Sequence, residues 1–199
     1  MKKSMIKGFV SVIFASALLS SCNLLDLTPK AAVTAKTYFK NESELELYAN
    51  RFYSDILPGG SNIYKEIGDN MIWIPLASEV SLTRTVPETG GGWSFEALRH
   101  INFLLENIGN CDDQAAVRKY TGVAQFFRAH YYFNMVKRFG DVPWLDHVPG
   151  TDDPDLYKPR DSRDVVMEHI IEDLDEAIEL FKKENSTKDL YHVTWWTAL

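Results

Sequence analysis

The stretch FFRAHYYFNMVKRFGDVPW occupies residues 126–144 and holds seven aromatic rings: Phe126, Phe127, Tyr131, Tyr132, Phe133, Phe139 and Trp144. Whether these rings form an exposed platform or the inside of a stack decides the fold. On a helical wheel, with 3.6 residues per turn, the apolar residues of 117–139 form no single stripe. Val117, Ala124, Tyr131 and Met135 share one side, with Val123 and Phe127 beside it. Phe126 and Phe133 point almost opposite, and Lys119, His130 and Lys137 make a narrow polar strip. A helix that is apolar nearly all round is buried by neighbours on several sides. The segment therefore reads as the centre of a helical stack, where rings burying roughly 150–250 Å² each are useful. Arg128 stands among the apolar positions, and a buried arginine requires a paired carboxylate. Asp141, Asp173 and Asp175 are the candidates. His130 reads as a packing or surface histidine, because no second ligand follows at a spacing such as HExxH.

Outward from this helix, the pattern stays helical. The central helix is expected from about Asp113 to Phe139, closed by Gly140 with Pro143 just beyond. Upstream, Asn41-Glu42-Ser43-Glu44 has the form of a capping box. Leu45, Tyr48, Ala49, Phe52 and Ile56 follow on one face, and Pro58-Gly59-Gly60 ends that helix. Residues 61–92 are irregular, with Pro75, Pro87 and Gly90-Gly91-Gly92, and a loop this long is often functional. Helix resumes near Trp93, with Leu98, Ile101, Asn102, Leu105 and Ile108 on one face and Gly109 closing it. Residues 140–160 form an Asp/Pro-rich loop, after which Asp161 or Ser162 caps another helix. In that helix Val166, Ile170, Leu174, Ala177, Ile178 and Phe181 line one side. Glu168, Glu172, Asp175, Glu176 and Glu179 line the other, as a solvated face. Val193 to Leu199 begins a further helical pattern. No strand alternation is sustained, so the expected class is all-α, built from antiparallel helix pairs around a long irregular loop.

The chain has 199 residues and a net charge of −7, from 28 acidic and 21 basic side chains. That balance argues against a nucleic-acid partner, which calls for a basic patch. At the N-terminus, Lys2, Lys3 and Lys7 precede an apolar run from Phe9 to Leu19. A spanning helix needs about 20 apolar residues, so the run reads as a secretory signal over residues 1–21. Leu19-Ser20-Ser21-Cys22 resembles the bacterial lipobox, which makes Cys22 the expected lipidated N-terminus of the mature protein. Residues 22–36 then read as a lipidated tether and 37–199 as the helical domain. With Cys22 bound to lipid, Cys111 has no cysteine to pair with and no disulfide is expected.

The string Gly122-x-x-x-Phe126-x-Arg128-Ala129-x-x-Tyr132-Phe133-x-x-Val136-x-x-Phe139-Gly140-Asp141-Val142-Pro143 resembles the central motif of the SusD/RagB-like outer-membrane nutrient-binding lipoproteins. Trp93 with Arg99-x-x-Asn102 is similar to another element of that family. So are Pro159-Arg160-Asp161-Ser162 with Ile171-x-Asp173-Leu174-x-x-Ala177, and Val193-Thr194-x-x-x-Thr197-Ala198-Leu199. Asp26-Leu27-Thr28-Pro29 after the lipobox also fits. The resemblance implies tetratricopeptide-like helix pairs in a lipoprotein on the outer face of the outer membrane. It implies no catalysis and no cofactor. Instead, such a protein binds oligosaccharides or other nutrients and passes them to a SusC-like TonB-dependent transporter. Family members are much longer, so this chain reads as an N-terminal fragment of the SusD-like fold.

The resemblance also places ligand contacts in the loop that follows an Asp-Asn segment, here Asp69-Asn70-Met71-Ile72-Trp73 and onward to Arg84. Trp73 is the expected sugar-stacking ring, with Glu79 and Arg84 as polar partners. Packing of Trp73 against the helices is the alternative. Trp93 and Trp144 are assigned to the scaffold. Against an enzyme, the chain has no GxSxG, HExxH or GxGxxG. Its Asp152-Asp153-Pro154-Asp155 run lacks the pattern of a calcium-binding loop, and no metal site is expected. A lipid-anchored helical scaffold that binds only protein partners is the remaining competitor.

Overall fold

A computed structural model describes residues 37–59, 74–76, 78, 81–86, 88–183 and 192–199, all within one compact unit. The fold is all-α. Its helices are α1 (Glu42–Ile56), α2 (Glu96–Asn107), α3 (Gln114–Phe139), α4 (Arg163–Lys183) and the short α5 (Trp195–Ala198). Single 3-10 turns cover Ile108–Asn110 and Pro154–Tyr157. The expected signal, the tether and Cys22 lie outside the described residues, as do Trp73 and Glu79.

Helix ends follow local chemistry. At α1, the Asn41 side chain accepts the Glu44 N–H at 3.0 Å. Glu44 reaches back to the Lys40 N–H at 2.9 Å, one residue earlier than the usual reciprocal bond. Asp113 caps α3 by accepting from the N–H groups of Ala115 and Ala116, and Gly140 closes it at φ 72°. The second helix starts three residues later than Trp93, since Trp93, Ser94 and Phe95 belong to the turn before Glu96. At α4 the open choice of cap is resolved. Ser162 Oγ faces the Val165 N–H at 3.4 Å. Asp161 turns away and accepts the Trp144 N–H at 2.7 Å.

Contacts between α3 and α4 run in opposite chain directions. The Phe181 ring lies on Gly122, Gln125 Nε2 donates to Glu176 at 2.6 Å, and Arg128 pairs with Asp173. The two helices are therefore antiparallel. The central helix crosses two cores in succession. Its first half supplies Tyr120, Val123, Ala124 and Phe127 to a core with Phe39, Leu45, Phe52, Ile101 and Phe181. Its second half supplies Ala129, Tyr131, Tyr132, Met135 and Val136 to a core with Leu98, Val142, Trp144, Val166 and Ile170. This is why α3 shows no single apolar stripe. The expectation that the rings of this helix are buried by neighbours on several sides needs one correction. Phe133 is 44% exposed, under the Lys137 ammonium 5.0 Å from its ring centre. Cys111 is a buried free thiol.

Candidate functional site

Arg128 is the hinge between the two cores. Its Nε and Nη2 donate to the two oxygens of Asp173 at 2.7 and 2.6 Å. Both side chains are nearly buried, at 12% and 6% exposure. Of the three candidate partners, the structure selects Asp173. Asp141 instead accepts the Arg163 N–H at the start of α4. Burial pushes the Asp173 carboxyl above its ordinary value, and the Arg128 guanidinium pulls it back. Above Arg128 lies the Trp144 ring, 5.4 Å away, itself stacked between Tyr132 and His169 at 4.3 and 4.7 Å.

Tyr132 carries this order into the loop after α3. Its hydroxyl accepts the Leu145 N–H at 2.7 Å and faces the carbonyls of Pro143 and Leu145 at 3.2 and 3.3 Å. Burial raises its pKa far above that of a free phenol. Asn102, 1% exposed, donates from Nδ2 to the carbonyls of Leu145 and His147 at 2.9 and 3.0 Å. Glu106 accepts the Val148 N–H. The FGDVPW segment is also tied to the start of α4. Val142 and Asp161 form an antiparallel bridge, and Lys158 Nζ reaches Asp161 at 2.9 Å. The motif residues thus form an interlock that fixes the loop 141–149 against α2, α3 and α4. Changing Tyr132 to Phe leaves the buried Leu145 N–H without its acceptor. The expected cost is about 1–3 kcal/mol, read by urea unfolding, and a loss below about 0.5 kcal/mol would sink the interlock argument.

The fixed loop is one wall of an open groove of about 490 Å³, within the range of small-molecule sites. On the opposite wall stand Trp93, Phe95, Glu96, Arg99 and Asn102. Pro143, Leu145, His147, Asp155 and Lys158 are among the other lining residues. Rings and aliphatic carbons therefore alternate with hydrogen-bonding groups. Charge is balanced, with Glu96 and Asp155 against Arg99 and Lys158. Trp93 does scaffold work as expected, edge-on to Phe95 and Phe139 at 5.4 and 4.9 Å and with the Arg160 guanidinium 4.6 Å over its ring. It also lines the groove, which the scaffold assignment missed.

At the groove rim His147 bridges three carboxylates. Nδ1 lies 3.0 Å from Asp146, and Nε2 lies 3.0 Å from Asp153 and 3.8 Å from Asp155. Asp146 first, then Asp153, holds the imidazole above its ordinary pKa. The ligand atoms of His147, Asp153 and Asp155 all lie within 4.8 Å of one another, so this trio could hold a cation. Their mutual hydrogen bonds account for the cluster without one. Sequence spacing gave no hint of it, because the loop turns back on itself through Pro154–Tyr157.

Of the residues expected to bind ligand, only Arg84 is described. It sits on a second hollow, lined also by Ser78, Thr85, Gly90, Gly91, Arg138 and Phe139. That hollow meets the groove at the Trp93–Phe139 ring pair. The groove was missed because the 140–160 loop was read as a connection. Its length was the available signal, since long loops in compact domains are often functional.

Residues 54–194 match the family described as starch-binding and associating with the outer membrane. The chain belongs to the SusD-like family. A solved SusD-like protein from Bacteroides fragilis has the same fold, with a TM-score of 0.60 and 23% identity. The alignment covers 81% of this chain and 34% of that one. No curated protein matches the chain. No described helix is long and apolar enough to cross a membrane. Arg128, Tyr132, Asp161 and Asn102, four of the residues that carry the family resemblance, take part in the interlock.

Proposed function

We propose that this SusD-like chain belongs to a non-catalytic cell-surface lipoprotein that binds glycans or other nutrients. The protein hands them to a SusC-like TonB-dependent outer-membrane transporter. Cys22 carries the lipid, and the protein faces the cell exterior. The observation that carries the binding role is the groove, where rings meet balanced polar groups in a member of a starch-binding family. Sugars present apolar C–H faces and a fringe of hydroxyls, and such a lining complements both. Trp73, Glu79 and Arg84 are the further proposed ligand contacts.

Calorimetric titration with an oligosaccharide panel tests the reading. Arg99→Ala and Trp73→Ala are the informative variants, since changing Trp93 would disturb the core. Each is expected to weaken binding about tenfold or more, the scale of one lost charged or stacking contact. Unchanged affinity in Arg99→Ala removes the groove from the site, and unchanged affinity in Trp73→Ala removes the loop. If the unaltered chain binds no glycan, the binding role itself fails.

A further inference from the structure

We infer that His147, Asp153 and Asp155 form a binding site for a divalent transition-metal ion of the zinc class, set on the rim of the groove. The site does not depend on the glycan-binding reading. His147 offers Nε2, which lies 3.0 Å from Asp153 Oδ2 and 3.8 Å from Asp155 Oδ2. Donors held at about 2.0–2.2 Å by one tetrahedral zinc stand about 3.4 Å apart, between those two separations. All three donor atoms lie within 4.8 Å of one another, so small rotations of the two carboxylates close the shell. One imidazole with two carboxylate oxygens suits zinc, whereas calcium takes about six to eight oxygens.

The far side of the ring fits the same role. His147 Nδ1 lies 3.0 Å from Asp146 Oδ1, and an ionised carboxylate only accepts. Nδ1 therefore carries its hydrogen toward Asp146, while Nε2 faces the two other carboxylates. A carboxylate on the outer nitrogen is the arrangement that orients a metal-bound imidazole. On the inner side, a positive occupant must separate Nε2 from the oxygens of Asp153 and Asp155. In the ion-free cluster that occupant is a proton, which makes the mutual hydrogen bonds. A bound zinc releases that proton to solvent, and the two carboxylates match its charge.

The donors are also placed in advance. Asn102, 1% exposed, donates to the His147 carbonyl at 3.0 Å, and Glu106 accepts the N–H of the next residue. Asp153 Oδ1 accepts the Asp155 N–H at 2.9 Å, which leaves Oδ2 for the ring. The Asp153 N–H donates to the Gly150 carbonyl at 3.2 Å. Three protein ligands leave a fourth position for water or for an oxygen of a molecule in the groove, which His147 and Asp155 both line.

Zinc titration of the full chain against a chromogenic chelator tests the site. Saturable binding of one ion per chain is expected. Asp146→Asn, which removes no ligand, should weaken it about tenfold to a hundredfold by freeing the imidazole. His147→Ala and Asp155→Asn should each weaken it by more than Asp146→Asn does. Asp152→Asn, a neighbouring acid outside the trio, should leave it unchanged. Thermal melts check that each variant is folded. Absence of saturable zinc binding overturns the inference, and so does binding that persists unchanged in a folded His147→Ala. Equal losses in Asp152→Asn and Asp155→Asn overturn it too, because the chain would then be reading general acidity. None of these outcomes bears on the glycan-binding role, which titration with oligosaccharides in the presence of a chelator tests separately.

Discussion

Replacing Asp173 with leucine is expected to destabilise the protein by about 3–5 kcal/mol. The carboxylate is the bidentate partner of Arg128, and both side chains are almost out of water. Taking it away leaves a cation buried without compensation. The pair itself adds little net stability, because burying two charges costs about as much as their attraction returns. That balance shows in Asp173, whose carboxyl burial drives above its ordinary value despite the adjacent arginine. The double variant Arg128→Met, Asp173→Leu should therefore recover most of the loss. Urea unfolding of the single and double variants decides the matter. A single variant costing under about 1 kcal/mol, or a double variant no better than the single, would show that Arg128 finds water or another partner.

Phe127→Ala should cost a similar amount, about 3–5 kcal/mol, as an aromatic ring is lost from a filled core. Phe127 is 0% exposed and meets Phe52, Tyr53 and Phe126 with ring centres 5.8, 4.8 and 5.4 Å away. For a domain of this size the loss corresponds to a melting temperature lower by roughly 6–20 °C. Phe133→Ala on the same helix is the matched control. Phe133 is 44% exposed, so its removal should stay within about 0.5 kcal/mol. Equal losses at the two positions would mean that Phe133 is covered by something else in solution. The pair of variants separates core ring from surface ring within one aromatic stretch.

Much of the fold was legible because its signals are local. The Asn41–Glu44 cap, the Asp113 start and the Gly140 stop each involve groups within a few residues of one another. Apolar positions of α4 such as Val166, Ile170, Ala177 and Phe181 recur at helical spacing, and all four are buried. The α2 start was misplaced because Phe95 supplies no side-chain cap, so Trp93-Ser94-Phe95 continues the apolar run without a stop signal. In α3 the wheel showed that rings point in several directions, and it could not say which direction lacked a neighbour. Phe133 lies on the side left partly open among the described residues, at 44% exposure.

The site was less legible, for a different reason. The sequence pointed to the loop ending at Arg84, and the structure adds a groove whose walls come from residues 93–102 and 143–158. Asn102 and Leu145 are joined across 43 residues, and Arg128 and Asp173 across 45. No periodicity or spacing encodes such pairs. By itself the sequence determined the helices, the caps at Asn41, Asp113 and Gly140, the need of Arg128 for a carboxylate, and the family to which the FRA…FGDVP frame belongs. Only the tertiary structure decided which carboxylate answers Arg128, which ring faces water, and that the motif residues clamp a loop into a groove wall. Helix formation depends on neighbours along the chain, whereas a binding surface depends on which distant segments the packed core brings side by side.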